Sequence, residues 1–214
     1  MTNEWSLIGL FELGGPFMWP LLVFSVATLA LIIERVIYLF WHNMNVNQLK
    51  NHVMSLVREN RINEARADLG IMDRRNTSAS ILLAVLNNTR GGETRMEKAA
   101  EAEAMERIRR CENGFNYLTA LASLSPLTGF LGTVSGMIGA CRSIANADEV
   151  NAQLVANGIY EALITTVFGL CIAIVALVAY NLLIQRVDTF AADVTKAVSD
   201  LVSLITTPED EESR

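Results

Sequence analysis

In the most apolar parts of this 214-residue chain, the side chains able to do chemistry are hydroxyls and one acid. Thr128, Thr133 and Ser135 lie in SPLTGFLGTVSGMIGA (125–140), a stretch without a single charge. Thr165, Thr166 and Asn181 lie in ALITTVFGLCIAIVALVAYNLLIQ (162–185), and Glu161 stands immediately before it. Each threonine has two readings. Its hydroxyl can bond back to a carbonyl of its own helix, or it can line a narrow polar path and order water or meet an acid on a partner. Glu161 is either a helix-start acid favoured by the dipole or a functional carboxylate at a membrane edge, where a charge is costly. The middle of either run holds no Asp, Glu, His, Lys or Arg. An ion crossing here would need its titratable carrier from another polypeptide.

Other chemistries lack their residues. His42 and His52 are ten positions apart without companion ligands. Cys111, Cys141 and Cys171 are an odd number without ligand spacing, which predicts buried inert thiols and no metal site. No phosphate-cradling loop, intramembrane acid pair or Ser–His arrangement is present, so neither a catalytic residue nor a cofactor is expected. The net charge of −6 gives no basic footprint for nucleic acid, and the tail PEDEESR reads as solvated disorder.

The elements that must position these groups are themselves unusual. Gly129, Gly132, Gly136 and Gly139 follow one another by three, four and three residues and so share one helix face, which Ser125 extends by a turn. A helix in water would avoid them, since each costs about 0.8–1.0 kcal/mol relative to alanine. In lipid, close backbone approach through small residues becomes the main source of association. Ala162, Thr166, Gly169, Ala173 and Ala176 form a similar stripe in the later run. The two faces predict a tight helix pair, a tight oligomer, or both. Pro126, one turn into its helix, frees a backbone carbonyl or only kinks the helix.

The composition agrees with a membrane setting: 51% hydrophobic, 19% charged, mean hydropathy +0.31. Three long apolar runs each meet the about 20 residues needed to cross about 30 Å of hydrocarbon. We therefore expect an all-α integral membrane protein with three transmembrane helices, the second and third extended into a helical cytoplasmic domain. The expected order is an outer interfacial helix (1–15), a first span (16–41), a cytoplasmic helical insert (42–114), a second span (115–141), an outer loop (142–157), a third span (158–186) and a cytoplasmic helix with an acidic tail (187–214). The first span is not read as a signal peptide, because no Lys or Arg precedes it. Basic residues cluster at Arg35, Arg107, Arg109, Arg110 and Arg186, which places the N-terminus outside and the insert and C-terminus inside. Leu49, Val53, Leu56 and Val57 recur at helical spacing in the insert, and Asn76 to Ser78 offer cap residues. After Gly91-Gly92 a single long helix is expected from near Glu93 into the second span.

The blocks SPLTGFLGTVSGMI (125–138) and GIYEALITTVFGLCIAI (158–174), with YN at 180–181 and IIER closing the first span, resemble the MotA/TolQ/ExbB proton-channel family. The likeness is strongest to its ExbB branch, with TolQ next. It implies a pentameric ring in the bacterial inner membrane, multi-pass, with a periplasmic N-terminus and a cytoplasmic C-terminus. The second and third spans would face a central pore. A dimer of a single-span ExbD- or TolR-like partner would occupy that pore and supply the proton-carrying Asp. Proton-motive force would become movement, passed to a TonB-like protein that energises outer-membrane transport. The family's pore threonines map onto Thr133 and Thr166, its edge glutamate onto Glu161 and its second-span proline onto Pro126. Two departures stand out. Ala173-Ile174-Val175-Ala176 lacks the proline usual in the third span, and Ser135 replaces a bulky aromatic.

Within this class the alternative is a TolQ-like envelope-maintenance motor; a flagellar stator usually has four spans and a larger cytoplasmic domain. A passive membrane scaffold, whose small-residue faces only assemble helices, is the alternative from another class.

Overall fold

A computed structural model describes residues 9, 11, 13–41, 46–72, 76–145 and 152–207, and every regular element among them is helical. The helices are α1 (Met18–Trp41), α2 (Val46–Arg58), α3 (Ile62–Met72), α4 (Thr77–Asn87), α5 (Glu93–Glu112), α6 (Phe115–Ala145) and α7 (Ala152–Thr206). A 3-10 turn, Thr89–Gly91, precedes α5. Most of the expected N-terminal helix, His42 and the acidic tail lie outside the described residues.

Three helical stretches are long and apolar enough to cross a membrane: Met18–Leu39, Glu93–Ala145 and Ala156–Thr206, whose apolar 18-residue windows have mean hydropathies of 2.0, 1.3 and 2.7. The middle stretch is not one uninterrupted helix. Gly114 takes φ +92°, a left-handed conformation in which a side chain is strained, so α5 ends at Glu112 and α6 restarts at Phe115. The third runs unbroken for 55 residues as α7, through the Ala173-Ile174-Val175-Ala176 segment. With no proline in that segment, no N–H is lost there and nothing forces a bend.

The chain divides into two compact units. One combines Met1–Glu34 with Gly114–Leu182, and its tightest feature is the antiparallel contact of α6 with α7. Met18, Leu21, Ile164 and Ile172 form a small apolar cluster beside that contact, joining α1 to α7.

The other unit combines Arg35–Asn113 with Leu183–Arg214. Its core takes Val46, Leu49, Val53 and Leu56 from α2, Ala65 and Leu69 from α3, Ile81, Leu82, Val85 and Leu86 from α4, and Phe190, Val194, Ala197 and Leu201 from α7. The spacing of the α2 set is the helical one anticipated from sequence, with Val57 only at the margin. Asn76 caps α4, its side chain accepting from the Ser78 N–H at 3.1 Å. Lys50 Nζ donates to Asp200 at 2.7 Å, and this hydrogen bond holds the Asp200 carboxyl below its usual range. Arg35 Nη1 donates to the Arg110 carbonyl near the end of α5, and its guanidinium lies 5.4 Å from the Tyr38 ring centroid. α4 has apolar or small residues on nearly every side, so it is the hub of this unit rather than a one-faced surface helix. Ile81 is fully enclosed. Ile81→Ala is therefore expected to cost about 2–5 kcal/mol, read as a lowered unfolding midpoint in detergent. A loss under about 1 kcal/mol would contradict this placement.

Candidate functional site

The site is built from the ladder of small residues that brings α6 and α7 together. A β-carbon at Gly169 would lie 2.5 Å from the Ser125 carbonyl oxygen. One at Gly129 would lie 2.7 Å from the Thr165 carbonyl oxygen. One at Gly132 would press on the Thr165 side chain, with Cβ at 2.8 Å, and one at Gly136 would come 3.1 Å from the Gly158 carbonyl oxygen. The residue numbers rise on α6 as they fall on α7, so one register of an antiparallel pair satisfies every contact. The small-residue faces thus serve a tight pair within one chain.

Gly139 is not part of this ladder: nothing lies within 4 Å of its would-be β-carbon, and it is exposed. The contact ends instead with Ala140 against Gly158, where a β-carbon would sit 2.7 Å from the Ala140 Cβ. The line of contact moves from the glycine row onto Ala140, and Gly139 turns away from α7. Gly158 was the missed partner, although it stands one turn before Ala162 and so extends the α7 stripe.

Two hydroxyls cross this interface to one oxygen. Thr165 Oγ1 shares its one hydrogen between the Ala162 carbonyl at 2.8 Å and the Gly129 carbonyl at 3.2 Å. Thr166 Oγ1 donates to the same Gly129 carbonyl at 3.3 Å. They reach it because Gly129 has no side chain to hold α7 away. Thr165 is 1% exposed and Thr166 half-buried.

The remaining hydroxyls follow the local reading. Thr133 Oγ1 donates to the Phe130 carbonyl at 2.6 Å, Thr128 to Leu124 at 2.9 Å and Ser125 to Leu121 at 2.6 Å. Asn181 Nδ2 likewise donates to the Leu177 carbonyl at 2.8 Å. Ser135 is exposed on the α6 surface, and Pro126 is half-buried within an α6 that stays helical around it. Thr133 is half-buried at the edge of the glycine face, one turn after Gly129, and so on the Thr166 side of the pair.

Glu161 is half-buried on α7, and its carboxylate lies against Gly15 in the turn before α1. Sequence reasoning passed over Gly14-Gly15-Pro16, although a glycine pair directly before an apolar run is a visible signal of close backbone approach. Thr28 was also missed. It is 2% exposed, its hydroxyl has no protein partner, and it lines a cavity of about 310 Å³ with Met18, Leu21, Phe168, Cys171 and Ile172.

The thiols differ from expectation. Cys111 is buried, but Cys141 and Cys171 are exposed on the protomer, because each lies off the small-residue faces that bury α6 and α7. Among the described residues no cluster of His, Cys, Asp and Glu could hold a metal ion. His52 Nε2 instead meets Asp68 at 3.2 Å on an exposed surface.

The sequence profile of the MotA/TolQ/ExbB proton channel family matches residues 73–196, more than half of the chain and all of the α6–α7 ladder. An ExbB-like biopolymer transport protein of Synechocystis is 32% identical over 206 residues, covering 90% of this chain and 78% of the relative. The Tol-Pal system protein TolQ of Haemophilus influenzae is 39% identical over 103 residues, 48% of this chain and 45% of TolQ. The biopolymer transport protein ExbB of Salmonella typhimurium is 34% identical over 91 residues, 42% of this chain and 37% of ExbB. By the extent of the profile match and by the length shared with the Synechocystis relative, the chain belongs to the MotA/TolQ/ExbB proton channel family.

Proposed function

We propose that this chain is the ring subunit of a proton-driven membrane motor of ExbB type. The observation that carries the reading is the convergence of Thr165 and Thr166 on one carbonyl, in a helix pair whose own spans supply no acid at mid-depth. Such a pair can donate and accept hydrogen bonds along a path but cannot carry a charge through it. In this reading five copies form a ring in the inner membrane, surrounded by lipid, with the N-terminus periplasmic and the C-terminus cytoplasmic. α6 and α7 face the pore with Thr133, Thr166 and Ser135, backed by Thr165, and Glu161 stands at the outer mouth. α5 and the end of α7 extend into the cytoplasm. An ExbD-like pair of single-span chains in the pore brings the Asp, and a TonB-like protein takes up the movement. The chain would catalyse no covalent chemistry.

The TolQ-type reading, envelope maintenance with a TolR-like partner, rests on the 39% identity to TolQ over 103 residues. Both readings share one test. The chain is purified alone and with a single-span, Asp-bearing partner, and each preparation is weighed by native mass spectrometry and assayed for proton flux in vesicles. The expected result is a five-copy ring that conducts only with the partner. Conduction by the chain alone, persisting after Thr133 and Thr166 are both changed to Val, would overturn it.

A further inference from the structure

Gly15 takes φ +69°, in the left-handed region, and its carbonyl accepts the Met18 N–H at 3.1 Å, which fixes the turn that opens α1. A β-carbon at this position would meet the Glu161 carboxylate, its Oε1 first and its Cδ at 2.8 Å. At Gly14 it would meet Met18 Cγ at 2.5 Å and Ile164 Cγ2 at 3.2 Å. Glu161 and Ile164 are three residues apart, so the glycine pair rests on a single face of α7. Among the described residues nothing donates a hydrogen bond to the Glu161 carboxylate. The next residue in the turn is Pro16, which has no N–H to offer.

A carboxylate held this way differs from one held by an arginine or a cap. Contact alone limits where it can point, and both oxygens keep their acceptor capacity. We infer that Gly15 is a positioning residue for Glu161: its missing β-carbon is the seat that sets the carboxylate's direction while leaving both oxygens free to accept a proton or a donor. The seat stands on geometry; its consequence for proton-driven work rests on the pathway reading proposed above.

The plainer account is that Gly15 is there only because its backbone is left-handed. Gly92 separates the two, since it has φ +78° and nothing within 4 Å of its would-be β-carbon. Alanine suffers the same backbone penalty at either position, but only at 15 does it strike the acid. The test uses the full chain with its partner in native membranes. Labelling by a membrane-permeant carbodiimide, which modifies protonated carboxyl groups, is followed at Glu161 by peptide mass spectrometry over a pH series. In Gly15→Ala the rate at Glu161 should change by about 100-fold, the order expected when a reacting group is displaced by about an ångström. In Gly92→Ala it should stay unchanged. If Gly15→Ala fails to accumulate, adding Glu161→Asp should restore it, because the shorter side chain withdraws from the new methyl group. Unchanged labelling in Gly15→Ala, an equal change in Gly92→Ala, or a failure to accumulate that Glu161→Asp does not relieve would each overturn the seat. A labelling change without loss of proton-driven work would keep the seat and remove Glu161 from the pathway.

Discussion

Thr166→Val is expected to abolish proton-driven work while the helices stay assembled. Valine matches threonine closely in shape, so the substitution removes one hydroxyl and little else. The structural loss is the Thr166 bond to the Gly129 carbonyl at 3.3 Å, which Thr165 also reaches. Such a bond between membrane helices is worth about 0.6 kcal/mol on average, too little to separate a pair held along four turns by the glycine ladder. On the proton-pathway reading proposed above, the functional loss is of another order. A positioned group that passes protons contributes about 10²- to 10⁴-fold, so work should fall by about 100-fold or more. Thr133→Val should behave alike, since its hydroxyl bonds only within its own helix, to Phe130, and supports no neighbour. The measurement is partner-dependent proton flux in vesicles, with native mass as the control for assembly. A passive scaffold predicts the reverse for both substitutions, with flux within about twofold of the parent, because only the small bond term would then be lost.

How much of this was legible in the sequence depends on whether a feature is local. The three long apolar helices, most of the glycine face and the hydroxyl positions were legible, because length, charge and the spacing of small residues are properties of one helix at a time. The helical insert was legible in the same way from Leu49, Val53 and Leu56, which are buried as their spacing requires. What a helix meets is not local, and here the reading stopped short. Gly139 has the spacing of a contact residue, yet the contact passes to Ala140 instead and leaves Gly139 facing away from α7. Cys141 and Cys171 are in apolar runs, which mean burial in water but not in lipid, and both are exposed on the protomer. Thr165 and Thr166 are neighbours about 100° apart on one helix, and no periodicity says that a bare Gly129 lets both reach one carbonyl. The seat of Glu161 joins residues 15 and 161, a juxtaposition that only the fold creates.

Gly169→Ala and Gly139→Ala should move stability in opposite directions, although both exchange a helical glycine for the better helix former. That exchange favours alanine by about 0.8–1.0 kcal/mol in a helix interior. At Gly139 nothing opposes it, since the new methyl group enters open space. At Gly169 the methyl group would stand 2.5 Å from the Ser125 carbonyl oxygen and 3.3 Å from the Gly129 Cα. Both obstacles are backbone, so no side chain can rotate away, and the helices must part by about an ångström to restore ordinary contact distance. Overpacking of this kind costs about 1–3 kcal/mol. Parting the helices also lengthens the bonds of Thr165 and Thr166 to Gly129, already 3.2 and 3.3 Å, beyond useful range. A net loss of about 2 kcal/mol is expected for Gly169→Ala against a gain of up to about 1 kcal/mol for Gly139→Ala. Gly169→Leu, which no such adjustment accommodates, should leave no folded protein in the membrane. Unfolding midpoints in detergent distinguish the cases, and equal shifts for the two alanine variants would mean that α6 and α7 do not meet through this ladder.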